Sequence, residues 1–358
     1  MKNTKVIVLT VILIIVCTLI STLVNRKDKT INYTFFINND SKISMYNNYG
    51  ERIIKDDLTY AEKFNDDYTL IVNTNNESAI IDKYGDFIIN FGEYDTIEEY
   101  GRLYLAYKGE DAYLITGNNR LIRKIESKSE IVSKIVRNYV ALLYDGNYHV
   151  YNSKGEILFS RKYKKKKQIV FKESSNYGLV YYDGKEYLFN IDGTEYEERD
   201  VKKVSNLEEF NNILLVTGDT NRVYYKNERV IDNFSCKYPK IDEADRVLCK
   251  EEVVFESELL NDIKNYKKIE NYGEYYLACN EKCDLFKNNE KVLTNYDEIR
   301  VINTNIDDYF YVKDKNTNII LNNKYELIFS TKKDLEIEDN YIKMNNKLYT
   351  FEGNEINI

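Results

Sequence analysis

The chain has 358 residues, 43% of them hydrophobic and 31% charged, with a formal net charge of −8. That balance argues against a disordered tail, a collagen or a small disulfide scaffold, and 59 acidic against 51 basic residues argue against a cationic surface for nucleic acid. Abundant Asn, Lys, Ile and Tyr, with one Pro and no Trp, is the profile of AT-rich codons, so the 34 tyrosines matter by position and not by number.

Residues 1–5 form a short leading tail that carries Lys2 and Lys5. Residues 6–24, VIVLTVILIIVCTLISTLV, follow without a charge. As a helix they rise about 28 Å, one hydrocarbon core, so a single transmembrane helix is predicted here. No A-x-A-like cleavage site lies near its end, and Val16 precedes Cys17 where a lipoprotein signal needs a small residue; both favour an uncleaved anchor. Arg26, Lys27 and Lys29, in a 25–32 juxtamembrane linker, nearly balance the lysines of the tail. The short tail is the easier end to retain inside. The expected topology is therefore single-pass in the cell membrane, with the following domain extracytoplasmic.

Residues 33–358 repeat. One turn recurs between short apolar strands: MYNNYGERII around Gly50, IIDKYGDFII around Gly85, HVYNSKGEILF around Gly155, YLFNIDGTEY around Gly193 and LYTFEGNEINI around Gly353. Asn takes the same place at Asn118, Asn227, Asn289 and Asn323, and Ser257 is the weakest member. Gly50 and Gly353 lie nine steps apart, a mean period of about 34 residues. Gly and Asn suit a turn that needs a positive φ.

Ahead of each turn lie runs such as YTLIVN (68–73), RLYLAY (102–107) and ILLVT (213–217). They are rich in β-branched and aromatic residues and are bounded by Gly, Asn and Asp, as strands are. No later segment sustains a helical period over 12 residues, although 127–136 and 259–266 each have room for a turn or two. The predicted class is all-β: about ten antiparallel repeats of three to four strands, each shielding its neighbour's apolar face. Propeller-like blades are favoured. An open β-solenoid or two smaller rings are the alternatives, because ten units exceed the usual four to eight blades.

The single histidine, His149, lies in the alternating strand NYHVYN and reads as a surface or interblade residue. HExxH, Walker, GxGxxG-after-strand and GxSxG patterns do not occur, so no catalytic, cofactor-binding or metal-binding residue is predicted. The acid pairs Asp66–Asp67, Glu98–Glu99, Glu208–Glu209 and Asp307–Asp308 are adjacent, and adjacent side chains of a strand diverge. No series of acids at matching repeat positions is evident.

Four cysteines lie beyond the anchor: Cys236, Cys249, Cys279 and Cys283. If residues 280–282 form a hairpin loop, Cys279 and Cys283 face each other within bridging reach, and Cys236 with Cys249 is a second candidate pair in an oxidising exterior. Free thiols and a four-Cys zinc site are the rival readings, although C-x12-C spacing is loose for zinc. The densest charge cluster is RKYKKKK, with Arg161, Lys162, Lys164, Lys165, Lys166 and Lys167. It reads either as a solvated loop or as a basic finger for anionic head groups or wall polymer.

The segment SAIIDKYGDFIINFGEYDTIEEYGRLYLAYKGEDAYLI (78–115) resembles the bacterial WG-repeat family, through Ile81, Asp82, Gly85, Ile88 and Ile89 and then Tyr94, Asp95 and Ile97. SNYGLVYY (175–182) and YDEI (296–299) match in part, and KYPKID carries the family's Pro and Tyr-Asp elements in scrambled form. Trp is absent, and Tyr177-Gly178 stands nearest to the naming dipeptide. The resemblance implies a β-rich repeat without a defined catalytic site. The expected function is a membrane-tethered, non-enzymatic module that binds a protein or an anionic polymer at the cell envelope. The alternatives are a carbohydrate-active or hydrolytic envelope propeller and a structural or assembly subunit.

Overall fold

In the computed structural model, the recurrent turn is organised by a side chain three residues ahead of the glycine. Asn47 Oδ1 accepts the N–H groups of Tyr49 (2.9 Å) and Glu51 (3.1 Å), and its Nδ2 donates to the Glu51 carboxylate (3.2 Å). Asn152 with Glu156 and Asn322 with Glu326 repeat this arrangement, and Asp82 accepts from Tyr84 and Asp86 in the same way. Such side-chain-to-backbone bonds fix a tight turn locally. The next-to-last residue of the turn then takes positive φ: Gly50 (74°), Gly85 (93°), Gly155 (79°) and Gly353 (83°). Two expected positions shift. Positive φ falls on Asn119 and Tyr325, not on Asn118 and Asn323, because the Asx-type residue and not the turn's Asn sets the register.

The described residues are 30–357 except 40–41, 65–66, 126–131, 137–138, 153, 163–168, 175, 191–194, 243–244, 258–262, 264, 288–289 and 339. The predicted 1–5 tail, the 6–24 anchor, residues 25–29 of the linker and the turns at Gly193 and Asn289 lie outside them. No helix long and apolar enough to cross a membrane occurs among the described residues. The architecture that follows belongs to residues 33–358, which form one compact unit.

The 37 described strands, numbered β1 onward in chain order, form nine antiparallel sheets, the blades of a propeller ring. The first sheet has six strands and holds the turns at both Gly50 and Gly85, so two repeats share one sheet. A single rung, Ile43 opposite Leu58, joins β2 (Lys42–Asn47) to β3 (Leu58–Ala61) and so fuses the first two repeats. Residues 132–136, left open to a helical turn by sequence, are strand β11. The repeat with Ser257 has three described strands, β23 (Pro239–Ile241), β24 (Arg246–Cys249) and β25 (Glu252–Glu256).

First strands lie innermost. β15 (Ile169–Glu173) touches β19 (Asn206–Phe210), which touches β23 of the next blade. Fourth strands carry the exposed Leu121, Ile157 and Leu327 at the rim. Between blades lie successive apolar clusters, such as Leu103, Leu105 and Leu114 against Val140, Leu142 and Tyr151. The last cluster joins Tyr33 and Phe35 to Tyr309, Ile342 and Phe351, so the array closes on itself as one ring. Gly50 meets the last repeat as Gly85 meets the first repeat. A Cβ on Gly50 would stand 2.7 Å from the Glu355 carbonyl oxygen, and one on Gly85 2.7 Å from Ile53 Cγ2. Closure therefore repeats an ordinary neighbour contact.

Candidate functional site

Among the described residues the first repeat has one strand fewer ahead of its turn than its siblings. Between Tyr33 and the Gly50 turn it holds only β1 (Thr34–Asn39) and β2, where the third repeat holds β7 (Thr96–Tyr100) and two further strands before its turn. Among the described residues no strand takes the innermost place of this repeat. A cavity of about 690 Å³ occupies that place, between β1, the residues after β3, β30 (Glu298–Asn303) and β34 (Glu336–Ile337). This volume falls within the range of small-ligand sites, roughly 300–1,000 Å³.

Its lining mixes aromatic and polar groups. Phe36 and Phe64 stack with centroids 5.7 Å apart and planes 12° apart, and Tyr341, its ring 6.2 Å from that of Phe35, also lines the cavity. Arg300, Lys63, Glu62 and Glu338 bring both charge signs, and Asn303, Asn305 and Asn340 bring amides. Both carboxylates are engaged. Glu62 accepts from the Tyr60 hydroxyl, and Glu338 from Lys343 Nζ at 2.6 Å. Burial, and next the Glu62 carboxylate, raise the Tyr60 phenol well above its ordinary pKa, so it stays a donor. Asn305 bonds to the edge of β1: its Oδ1 accepts Thr34 N–H at 3.0 Å and its Nδ2 donates to Thr34 Oγ1 at 2.7 Å.

The residues singled out by sequence lie elsewhere. Cys279 and Cys283 are directly opposed in a hairpin and bonded, with Cα atoms 4.1 Å apart, and Cys236 is bonded to Cys249 across 5.7 Å. The Arg161 guanidinium lies over the rings of Phe159 (5.3 Å) and Tyr187 (5.8 Å), and the Lys162 carbonyl accepts from Tyr182 Oη. Lys164–Lys167 fall outside the described residues. His149 is buried, stacked on Tyr144 at 4.4 Å, with Nδ1 3.1 Å from Ser160 Oγ.

Two features escaped the sequence reading. Acids do recur at one rung: Glu98, Glu208 and Glu270 each stand opposite a leucine of the second strand, Leu105, Leu215 and Leu277. Their carboxylates are used structurally, by Tyr100 and Tyr107, by Ile241 N–H, and by Tyr272 and Lys268 respectively. The pair Glu208–Glu209 diverges as expected: Glu208 reaches Ile241 of the following blade and Glu209 reaches Asn176 of the preceding one. The second feature is a buried ion network. Arg222 pairs with Glu186 (3.3 Å) and Glu197 (3.0 Å), and Glu197 also meets Arg199 and Arg229. Ser205 donates both its N–H and its hydroxyl to Glu186. The charges come from separate strands, so no local spacing announces them.

No family model matches the chain, and no curated protein matches it. Among solved structures it is similar to one titled "Crystal structure of the eukaryotic initiation factor", at 10% identity over 91% of this chain and 95% of that one, with a TM-score of 0.36. It is also similar to dihydro-heme d1 dehydrogenase NirN in complex with DHE, at 9% identity over 90% and 76%, TM-score 0.29. Apo AztD from Citrobacter koseri matches at 10% identity over 89% and 88%, with a TM-score of 0.24.

Proposed function

We propose that this chain is a membrane-tethered binding module of the bacterial cell envelope, built from degenerate WG-type repeats. The 6–24 helix anchors it, the ring stands outside the bilayer, and a protein or anionic polymer is received where no described strand takes the innermost place of the first repeat. The observation that carries the reading is the 690 Å³ cavity with aromatic walls, amides and both charge signs. Glu62 and Glu338, the two carboxylates among the described lining residues, are both occupied by donors, which suits recognition better than acid–base turnover. The two disulfides suit an oxidising exterior. The basic finger from Arg161 to Lys167 supplies an auxiliary contact to anionic surface polymer or lipid.

Protease shaving of intact cells, followed by partner capture with wild type and Phe64→Ala at low and high salt, tests the reading. Cleavage of the ring from outside, and capture weakened by Phe64→Ala, are expected. Protection of the ring inside the cell, or turnover of an envelope glycan, would overturn it.

A further inference from the structure

We infer that the cavity beside β1 takes an extended peptide segment of a partner protein, which pairs with β1 as the innermost strand of the first repeat. The inference rests on the binding reading above and names its ligand. The ladder gives the reason. Asn48 N–H donates to Tyr33 C=O at 3.1 Å, so that rung joins β1 to β2. Met45 C=O and Asn47 N–H are used on the far side of β2, by Ile53 (2.9 Å) and Glu51 (3.0 Å). Antiparallel rungs alternate. Thr34, Phe36 and Asn38 therefore turn their backbone groups away from β2, and Thr34 and Phe36 border the cavity. Among the described residues no strand pairs with β1 on that side.

The first open rung is already answered: Asn305 Oδ1 accepts Thr34 N–H as a strand carbonyl would. Phe36 and Asn38 supply the next two. An edge of this kind is the template for strand addition, in which main-chain bonds give affinity and side-chain pockets give specificity. A sugar would use the aromatic walls and leave the rungs unanswered.

Sibling strands describe the guest. β7 (TIEEY), β19 (NLEEF) and β26 (Lys268–Tyr272, KIENY) are five residues long, with an aliphatic residue second, an acid third and an aromatic fifth. Ile97, in the third repeat, is buried against the second, and its counterpart in a guest completing the first repeat would enter the equivalent gap between the last repeat and the first. The partner segment is therefore an extended one with an aliphatic and an aromatic residue three apart and an acid between them, opposite a wall that carries Arg300 and Lys63.

The test uses the full-length chain in detergent micelles and the synthetic peptide DTIEEYG, its own residues 95–101. Saturable binding is expected, with slowed amide exchange at Phe36 and Asn38. Affinity should fall about tenfold when alternate peptide nitrogens are methylated, and about as much in Asn38→Pro, which removes one edge donor without touching the β2 rungs. Equal binding of the methylated peptide would overturn the inference. So would protection of Phe36 and Asn38 before any peptide is added, which would mean that the chain itself or a second copy fills the edge. Binding of a chito-oligosaccharide in place of the peptide would overturn strand addition yet leave the binding reading standing. Failure of both probes, together with failed partner capture, would remove both.

Discussion

Phe351 donates its backbone N–H to Tyr33 Oη at 2.7 Å, a bond that spans 318 residues and ties the last repeat to the first. Both residues are fully buried, and Tyr33 meets Tyr309 edge-on at 5.3 Å. Tyr33→Phe keeps the packing and strands the Phe351 donor. The expected loss is about 1–3 kcal/mol, read as a lower urea midpoint.

Gly50 and Gly146 both hold positive φ, 74° and 65°, yet only Gly50 has a backbone atom against it, the Glu355 carbonyl. Alanine at either site carries a left-handed penalty of about 1–2 kcal/mol. Gly50→Ala adds a clash at the ring seam, of order 1–3 kcal/mol. Thermal unfolding should therefore place Gly50→Ala well below Gly146→Ala, and equal midpoints would count against the seam.

Arg222 is 2% exposed and holds two carboxylates, Glu186 and Glu197. Arg222→Ala leaves Glu186 buried without its cation and should cost about 3–5 kcal/mol. Arg222→Met combined with Glu186→Met should recover part of that loss, the rest being held back because the buried Ser205 N–H and hydroxyl lose their acceptor. Because the pair is shielded from solvent, added salt should change little.

His149 is the only histidine, so its ring resonance titrates alone in NMR. Burial first, and then the nearby Arg123 charge, lower its pKa below the ordinary imidazole value. The folded state thus binds this proton less readily than the unfolded state. Stability from this site is complete above the unfolded pKa, about 6.5, and is lost as pH falls through the folded value. His149→Gln should flatten that part of the stability profile.

The four cysteines beyond the anchor should resist alkylation until reduced. In a chain-entropy view, opening Cys236–Cys249, which closes 13 residues, costs about 3 kcal/mol, and opening Cys279–Cys283, which closes 4, about 2 kcal/mol. Paired serine substitutions followed by thermal unfolding check the order.

The all-β class and the beat of the turns were legible because Gly or Asn at positive φ leaves a local signature, as at Gly50 and Gly155. The turn register at Asn119 and Tyr325 was less so, since it is set by side chains three residues earlier, the Thr116 hydroxyl and the Asn322 amide, which carry no glycine signature. Closure was illegible, because the Tyr33–Phe351 bond joins the first and last repeats, which no periodicity connects. The short first repeat did leave a trace: the stretch from Tyr33 to Gly50 is too short for a third strand. The Arg222 network left none, since Glu186, Glu197 and Arg222 come from three strands of two blades.

The ring seam is tested most directly by spin labels at Glu51 and Glu355, both exposed and on either side of it. A closed ring predicts one short, narrow inter-label distance in the full-length chain, and broadening of that distance in Tyr33→Phe. A long distance, as in an open superhelix, would contradict closure and, with it, the cavity beside β1.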